Sequence, residues 1–135
     1  MIHSIIYLSA ANTTLGHENL KDLLKQTLYN NNARNITGFL LYKNQYFLQL
    51  LEGNKKDLRS LYKKITADSR HSNVIKLVDQ TTQERTFASY LSGFEIFDNS
   101  HCEELLKSRI ANISTFPSPD IRKKAYIISG ILNSM

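Results

Sequence analysis

The sequence is poor in cysteine, proline and glycine, and it has no long hydrophobic run. Cys102 is the only cysteine, which excludes an intrachain disulfide and suits a reducing cytoplasm, where we expect the protein. The five glycines are scattered, so there is no glycine-rich phosphate loop and no dinucleotide fingerprint. The four histidines lack metal-ligand spacing, so no metal site is predicted. No apolar stretch is long enough to cross a membrane.

The composition is that of one globular domain. The chain has 135 residues, 41% of them hydrophobic, and a net charge of +5. The lysine pairs 55–56, 63–64 and 123–124 are expected on solvated helix faces. A nucleic acid would need a denser basic patch, so we do not expect one as a partner. Residues 1–11 lack the basic leader of a signal peptide and are patterned like a strand.

The hydrophobic pattern predicts an α+β fold. Strands are expected at 2–9, 36–42, 46–52, 74–78 and 87–97, and helices at 17–30, 54–65, 102–113 and 120–132. The first helix should end at Asn30-Asn31-Asn32, and the second should be capped by Asn54. The order of elements is that of a ferredoxin-like, mixed five-stranded sheet with two helices on one face, followed by two C-terminal helices.

The last predicted helix has an unusually wide apolar surface. Ile121, Ala125, Ile128 and Leu132 form one stripe, and Ile127 and Ile131 widen it. Such a surface must be covered by the sheet or by another chain.

Two polar residues lie where the pattern predicts buried strand. Gln49 lies within Tyr46-Phe47-Leu48-Gln49-Leu50-Leu51, and Tyr7 lies in the middle of the first strand. A buried amide without partners costs about 1–3 kcal/mol. If the two strands are neighbours, the phenol and the amide can meet. Spacing alone favours a pair that satisfies itself in the core over a functional site.

A second polar set, Asp68-Ser69-Arg70-His71, follows the second helix. Its donors could hold a phosphate. It could equally be an exposed helix end, where cations interact favourably with the helix dipole.

Taken together, these residues resemble the BLUF family of blue-light sensors that use flavin. The resemblance covers roughly residues 2–95, with its segments in register. They are Tyr7-Leu8-Ser9, Leu20-Lys21-Asp22-Leu23-Leu24 with Asn30-Asn31, Ile36-Thr37-Gly38-Phe39-Leu40-Leu41-Tyr42, Phe47-Leu48-Gln49-Leu50-Leu51-Glu52-Gly53, Leu61-Tyr62-Lys63-Lys64-Ile65, Asp68-Ser69-Arg70-His71, and Arg85-Thr86-Phe87 leading to Gly93-Phe94.

The resemblance implies a flavin site between the first two helices, with FAD expected and FMN as the alternative. Leu23 and Ile65 would be its apolar walls. Asn31 would bond the polar edge of the ring, and Asn30 would lie near that edge or the ribityl chain. The ribityl-phosphate end would face Arg70 and His71, with Lys64 nearby and Asp68 ordering them.

The implied mechanism is a hydrogen-bond switch. Gln49 would lie between the Tyr7 hydroxyl and the N5/O4 edge of the flavin. Light makes the flavin an oxidant, Tyr7 donates an electron and a proton, and recombination leaves Gln49 rotated or tautomerised. An amide suits this role because it carries donor and acceptor ends.

The resemblance also implies how the chain is organised. Residues 1–97 would be the flavin-binding domain and 98–135 a helical extension. No catalytic set is evident, so the protein is expected to be a sensor and not an enzyme. It would signal to a partner protein, and homo-oligomers are expected.

The chain departs from the family's frequent Trp-x-Met-Gly-Phe sequence on the fifth strand. Tyr90 and Ser92 replace the tryptophan and the methionine, and the chain has no tryptophan. A signal path through a tryptophan or a methionine on that strand therefore cannot apply unchanged to this chain, whereas flavin binding is expected to be little affected. Two other interpretations stay open: a cofactor-free ferredoxin-like module that binds nucleic acid or protein, and a small flavin-dependent enzyme.

Overall fold

The computed structural model describes residues 1–12, 15–86 and 93–135. Within these ranges, strands and helices follow the predicted order. They are β1 (Ile2–Ala11), α1 (His17–Ala33), β2 (Thr37–Lys43), β3 (Tyr46–Gly53), α2 (Lys55–Ala67), β4 (His71–Thr82), β5 (Phe94–Phe97), α3 (Ser100–Ile113) and α4 (Pro119–Ser134).

The strands form one mixed sheet in the order β4-β1-β3-β2-β5. β2 and β5 are parallel, and the other neighbouring pairs are antiparallel. The predicted fold class is therefore confirmed. β1 and β3 are interior strands, and side chains on both of their faces are buried. This explains why both strands are nearly continuous apolar runs in the sequence.

The turn between β2 and β3 is tighter than the sequence predicts. Lys43 lies opposite Tyr46, so only two residues form the turn. Both of them, Asn44 and Gln45, have positive φ angles, of 52° and 67°. Two consecutive left-handed residues match the twist of an antiparallel hairpin.

The first helix runs past the predicted end at the three asparagines. It continues to Ala33, and Asn35 adopts the left-handed conformation, with φ of 55°, just beyond its end. The prediction was wrong because Asn32 forms a hydrogen bond outside the helix and the Asn31 side chain is buried at the cleft. Neither side chain therefore competes for the bonds of the helix.

The second helix has the predicted cap. The Asn54 side chain accepts hydrogen bonds from the backbone N–H groups of Lys56 and Asp57, at 2.9 and 3.3 Å. Leu58 is buried, and Leu61 and Ile65 are half-buried on the face toward the sheet. The cap and this apolar face fix where α2 begins and how it lies on the sheet.

The edge strand β4 is longer than predicted, and the predicted fifth strand is described only in part. β4 extends over His71–Thr82, because it pairs with β1 along almost its whole length. Many residues of β4 are polar and exposed, so a prediction based on runs of apolar residues finds only part of the strand. β5 begins at Phe94. The rest of the predicted fifth strand, 87–92 with Tyr90 and Ser92, lies outside the described residues.

The sheet separates two hydrophobic cores. α1 and α2 pack on one face, around Ile5, Leu40 and Leu51. α3 and α4 pack on the other face, around Ile6, Leu48 and Leu50. The sheet therefore covers the apolar stripe of α4, and Ile121, Ala125, Ile128 and Leu132 are all buried there.

Lys124 contradicts the expectation that the lysine pairs lie on solvated faces. Its neighbour Lys123 is exposed, but Lys124 is 0% exposed and lies on the sheet-facing side of α4. Its ammonium group has polar partners on the sheet, including Glu52.

Candidate functional site

A cleft with a cavity volume of about 220 Å³ opens between α1 and α2, with the sheet as its floor. Its lining comes from α1, from α2 and the residues after it, and from β1, β2 and β3. The lining residues are Tyr7, Leu23, Gln26, Thr27, Asn30, Asn31, Leu40, Phe47, Gln49, Leu61, Lys64, Ile65, Asp68, Arg70 and His71.

Every residue that the sequence analysis assigned to the flavin site lies on this cleft. The lining also includes Gln26, Thr27, Leu40, Phe47 and Leu61, which that analysis did not select. Gln26 and Thr27 could have been found by spacing alone. Gln26 and Thr27 lie three and four residues after Leu23, and four and three residues before Asn30. All of these positions are therefore on the same face of α1.

The centre of the cleft floor is formed by Tyr7 and Gln49. They are direct cross-strand partners in the β1–β3 ladder, so their side chains project from the same face of the sheet. Both are buried, at 4% and 2% exposure. The amide Nε2 of Gln49 donates a hydrogen bond to the Tyr7 hydroxyl. The phenol and the amide therefore meet, as the sequence analysis expected if the two strands were neighbours.

The Tyr7 phenol is held in its neutral form. Burial raises the pKa of Tyr7 well above its ordinary value, and the hydrogen bond from Gln49 opposes that shift only in part. Aromatic rings surround it edge-on, with ring centroids of Tyr62 and His71 at 6.0 and 6.2 Å. Tyr7 therefore keeps its hydroxyl proton at neutral pH.

Two buried polar atoms on the cleft have no hydrogen-bond partner among the described residues. They are the Oε1 atom of Gln49 and the Nδ2 atom of Asn31. A buried polar group left unpaired costs about 1–3 kcal/mol. The cleft thus offers one unpaired acceptor on its floor and one unpaired donor on α1.

Asp68 and Arg70 form a fork-shaped ion pair at the end of α2. The Nε atom of Arg70 lies 3.0 Å from both carboxylate oxygens, and its Nη2 atom lies 2.6 Å from Oδ2. Hydrogen bonds from Arg70 hold the pKa of Asp68 below its usual range. The carboxylate therefore fixes the guanidinium at the rim of the cleft.

His71 lies against the cleft with both ring nitrogens engaged by the protein. Nε2 lies 2.5 Å from the backbone oxygen of Ile65, to which an N–H can donate. Nδ1 lies 2.8 Å from the Ser9 hydroxyl. His71 therefore connects β4 to α2 and β1.

Asn32 connects the end of α1 to β5, a contact that the sequence analysis missed. Its Oδ1 atom accepts a hydrogen bond of 2.8 Å from the backbone N–H of Phe94. A Cβ atom at position 93 would lie 2.5 Å from that oxygen, so glycine leaves room for the contact. Asn31 lines the cleft and the next residue, Asn32, bonds to β5, so consecutive residues of α1 connect the two.

The donor and acceptor pattern of the cleft fits the isoalloxazine ring of a flavin. The pyrimidine edge of that ring carries an N–H donor between two carbonyl acceptors. A carbonyl of that edge can accept a hydrogen bond from the unpaired Nδ2 atom of Asn31. The apolar side chains of Leu23, Leu61 and Ile65 suit the faces of a tricyclic ring.

Comparisons with known proteins agree with this fit. A family model described as BLUF, sensors of blue-light using FAD, matches residues 2–93. The blue light- and temperature-regulated antirepressor BluF of Escherichia coli is 29% identical over 98 residues, which are 73% of this chain and 24% of that protein. The photoactivated adenylate cyclase subunit alpha of Euglena gracilis is 35% identical over 88 residues, 65% of this chain and 9% of that protein.

A solved structure supports the same relationship. Klebsiella pneumoniae BlrP1 with FMN and cyclic diGMP matches with a TM-score of 0.76 and 26% identity, covering 98% of this chain and 35% of that one. This chain thus spans a minor part of each of these three proteins. Among the described helices, none has the length and hydropathy of a membrane span. No cluster of metal-ligating side chains occurs in the same part of the chain.

Proposed function

The chain belongs to the BLUF family of flavin-binding blue-light sensors, and from this premise we propose that its signal is a rearrangement of hydrogen bonds among Tyr7, Gln49 and the flavin. The observation that carries this proposal is the paired arrangement on the cleft floor. Gln49 donates to Tyr7 with one end of its amide, and its other end is buried and unpaired.

The ring of the flavin is proposed to lie between α1 and α2. Leu23 and Ile65 line opposite walls of the cleft and would cover its faces. The unpaired Nδ2 atom of Asn31 would donate to a ring carbonyl. Gln49 would contact the edge of the ring that carries N5 and O4.

The phosphate end is proposed to lie toward Arg70 and Lys64. The contacts with Asp68 use the Nε and Nη2 atoms of Arg70, so the remaining N–H groups of its guanidinium are the donors for a phosphate. Asn30 would contact the ribityl chain. His71 would close this end of the cleft with its ring, because its nitrogens bond Ser9 and Ile65.

We propose FAD as the cofactor, and FMN meets the same requirements at the ring and the first phosphate. When bound, the flavin supplies blue-light absorption and, once excited, an oxidising group within reach of a phenol. Tyr7 is neutral and buried, so it would be the residue that gives an electron and its hydroxyl proton to the excited flavin and then takes both back, without net oxidation.

Gln49 is the element that changes during this cycle. In the structure, its Nε2 atom donates to Tyr7. While Tyr7 lacks its proton, the amide can turn or tautomerise and so exchange its donor and acceptor ends. Tyr7 then donates to Gln49, and Gln49 donates toward the flavin carbonyl. A new donor at that carbonyl changes the colour of the bound flavin.

The signal is proposed to reach an effector on a partner protein, through the sheet and the two C-terminal helices. In this scheme residues 1–97 sense light and 98–135 form the output. In the light-regulated relatives, the matched segment is a minor part of a larger protein, whereas it makes up most of this chain. Homo-oligomers remain part of the proposal.

One experiment tests the proposed function. The purified chain is loaded with FAD and exposed to blue light. We expect a yellow protein whose flavin absorption band moves reversibly to longer wavelength and returns in the dark. A protein that takes up no flavin, or a bound flavin whose band does not move, would contradict the proposal.

Arg70→Ala is expected to weaken the binding of FMN about tenfold and to leave the binding of riboflavin nearly unchanged. A hydrogen bond to a charged group contributes about 1.5–3 kcal/mol, and partial exposure places this one at the lower end. Fluorescence titration of both ligands measures the difference. Arg59→Ala, on the solvated side of α2, is the matched control. An equal loss of affinity for riboflavin would contradict a contact between Arg70 and the phosphate.

A further inference from the structure

A second polar cluster lies on the face of the sheet opposite to the cleft. We call Ser4, Glu52, Thr82, Thr86 and Lys124 the buried ion-pair cluster. The Nζ atom of Lys124 lies 3.1 Å from Oε2 of Glu52, 2.8 Å from the Ser4 hydroxyl and 3.5 Å from the Thr82 hydroxyl. The side chains of both charged residues are 0% exposed.

The hydrogen bonds within this cluster are complete on both charged groups. The ammonium group of Lys124 has three oxygen partners, one for each of its protons. Glu52 also accepts from Ser4 at 2.8 Å, from the backbone N–H of Thr86 at 2.7 Å and from the Thr86 hydroxyl at 2.8 Å. Through the Glu52 carboxylate, the cluster therefore connects α4 to β3, to Ser4 on β1 and to Thr86 beyond β4.

Stability alone does not explain such a pair. Well-packed apolar residues in place of a buried ion pair are often as stabilising or more so. What the pair adds is sensitivity to position. Buried charges are poorly screened, so their energy changes steeply when the partners move apart. The ion pair therefore favours one position of α4 on the sheet. A small shift of the strands changes the distance between Glu52 and Lys124 and so weakens this preference.

The cluster and the floor of the cleft share the same two strands. Ser4 and Glu52 are direct partners in the β1–β3 ladder, as are Tyr7 and Gln49. The two pairs lie three residues apart, about 10 Å along the strands. An odd spacing places them on opposite faces of the sheet. Any displacement of β3 relative to β1 therefore changes the geometry of both pairs.

We propose that the buried ion-pair cluster is the contact through which the rearrangement at Tyr7 and Gln49 reaches α4. When Gln49 changes its hydrogen bonds, β3 moves against β1. The contact between Glu52 and Lys124 then weakens, and α4 loosens from the sheet. Tyr126, which is 82% exposed on α4, is thereby presented to a partner differently in light. This inference rests on the proposed function above.

The test is amide hydrogen exchange of the flavin-loaded chain, in darkness and under blue light. In the wild-type chain, we expect the amides of α4 to exchange roughly fivefold faster, or more, in light. In Glu52→Leu/Lys124→Met, we expect the red shift of the flavin to persist and the exchange difference in α4 to vanish. Lys123→Met, an exposed neighbour on the same helix, should behave as the wild-type chain does.

The outcomes separate this inference from the proposed function. A wild-type chain that shifts its flavin band but shows no exchange change in α4 overturns the inference alone. A double variant that keeps the wild-type exchange difference overturns it as well. A wild-type chain without a red shift overturns the proposed function. If the double variant does not fold, Glu52→Gln/Lys124→Met is measured instead, since its amide still accepts from Thr86.

Discussion

Gln49→Leu is expected to retain the flavin and to lose the light-induced red shift completely. Leucine fills a similar space but offers no donor or acceptor, so nothing on the floor of the cleft can exchange its hydrogen-bonding ends. Loss of one neutral hydrogen bond, worth about 0.5–1.5 kcal/mol, should weaken flavin binding by about tenfold at most. The light-minus-dark absorption spectrum of the loaded variant measures the effect.

Two further variants make this result specific. Tyr7→Phe removes the hydroxyl that accepts from Gln49 and should also abolish the shift while flavin stays bound. Gln83→Leu replaces an exposed amide beyond β4 and should leave the shift as in the wild-type chain. A normal red shift in Gln49→Leu or Tyr7→Phe would contradict the switch mechanism.

Lys124→Met is expected to lower the free energy of unfolding by about 3–5 kcal/mol. The substitution leaves the Glu52 carboxylate fully buried without its cation, and only neutral donors from Ser4 and Thr86 remain. Because a domain has a total stability of about 5–15 kcal/mol, this loss is a large share. Urea unfolding, followed by circular dichroism on the flavin-free chain, measures it.

The double variant Glu52→Leu/Lys124→Met should recover most of this loss, because it removes both charges together. Lys123→Met is the matched control, and its free energy of unfolding should change by about 0.5 kcal/mol or less. If Lys124→Met is no less stable than Lys123→Met, the pair is not the buried contact described here.

The sequence was sufficient to predict the architecture where burial is uniform along an element. β1 and β3 are buried on both faces, so their apolar runs are continuous and unmistakable. Asn54 predicted the start of α2 because a cap acts through local backbone contacts. The polar edge strand β4 and the true end of α1 were misjudged, since each depends on partners far away in the chain.

The site was predictable in part. Gln49 was conspicuous because an amide within an apolar strand must find a partner. The other flavin-site residues were assigned by resemblance, and the cleft gathers all of them. Lys124 was not predictable, because helical periodicity cannot reveal a carboxylate that is 72 residues away.

The most direct test is a light-minus-dark infrared difference spectrum of the flavin-loaded chain with isotope-labelled glutamine side chains. We predict that the C4 carbonyl band of the flavin moves to lower frequency in light, and that a labelled amide band moves with it in the wild-type chain but not in Gln49→Leu. A red shift of the absorption band with both infrared bands unmoved would contradict the hydrogen-bond switch.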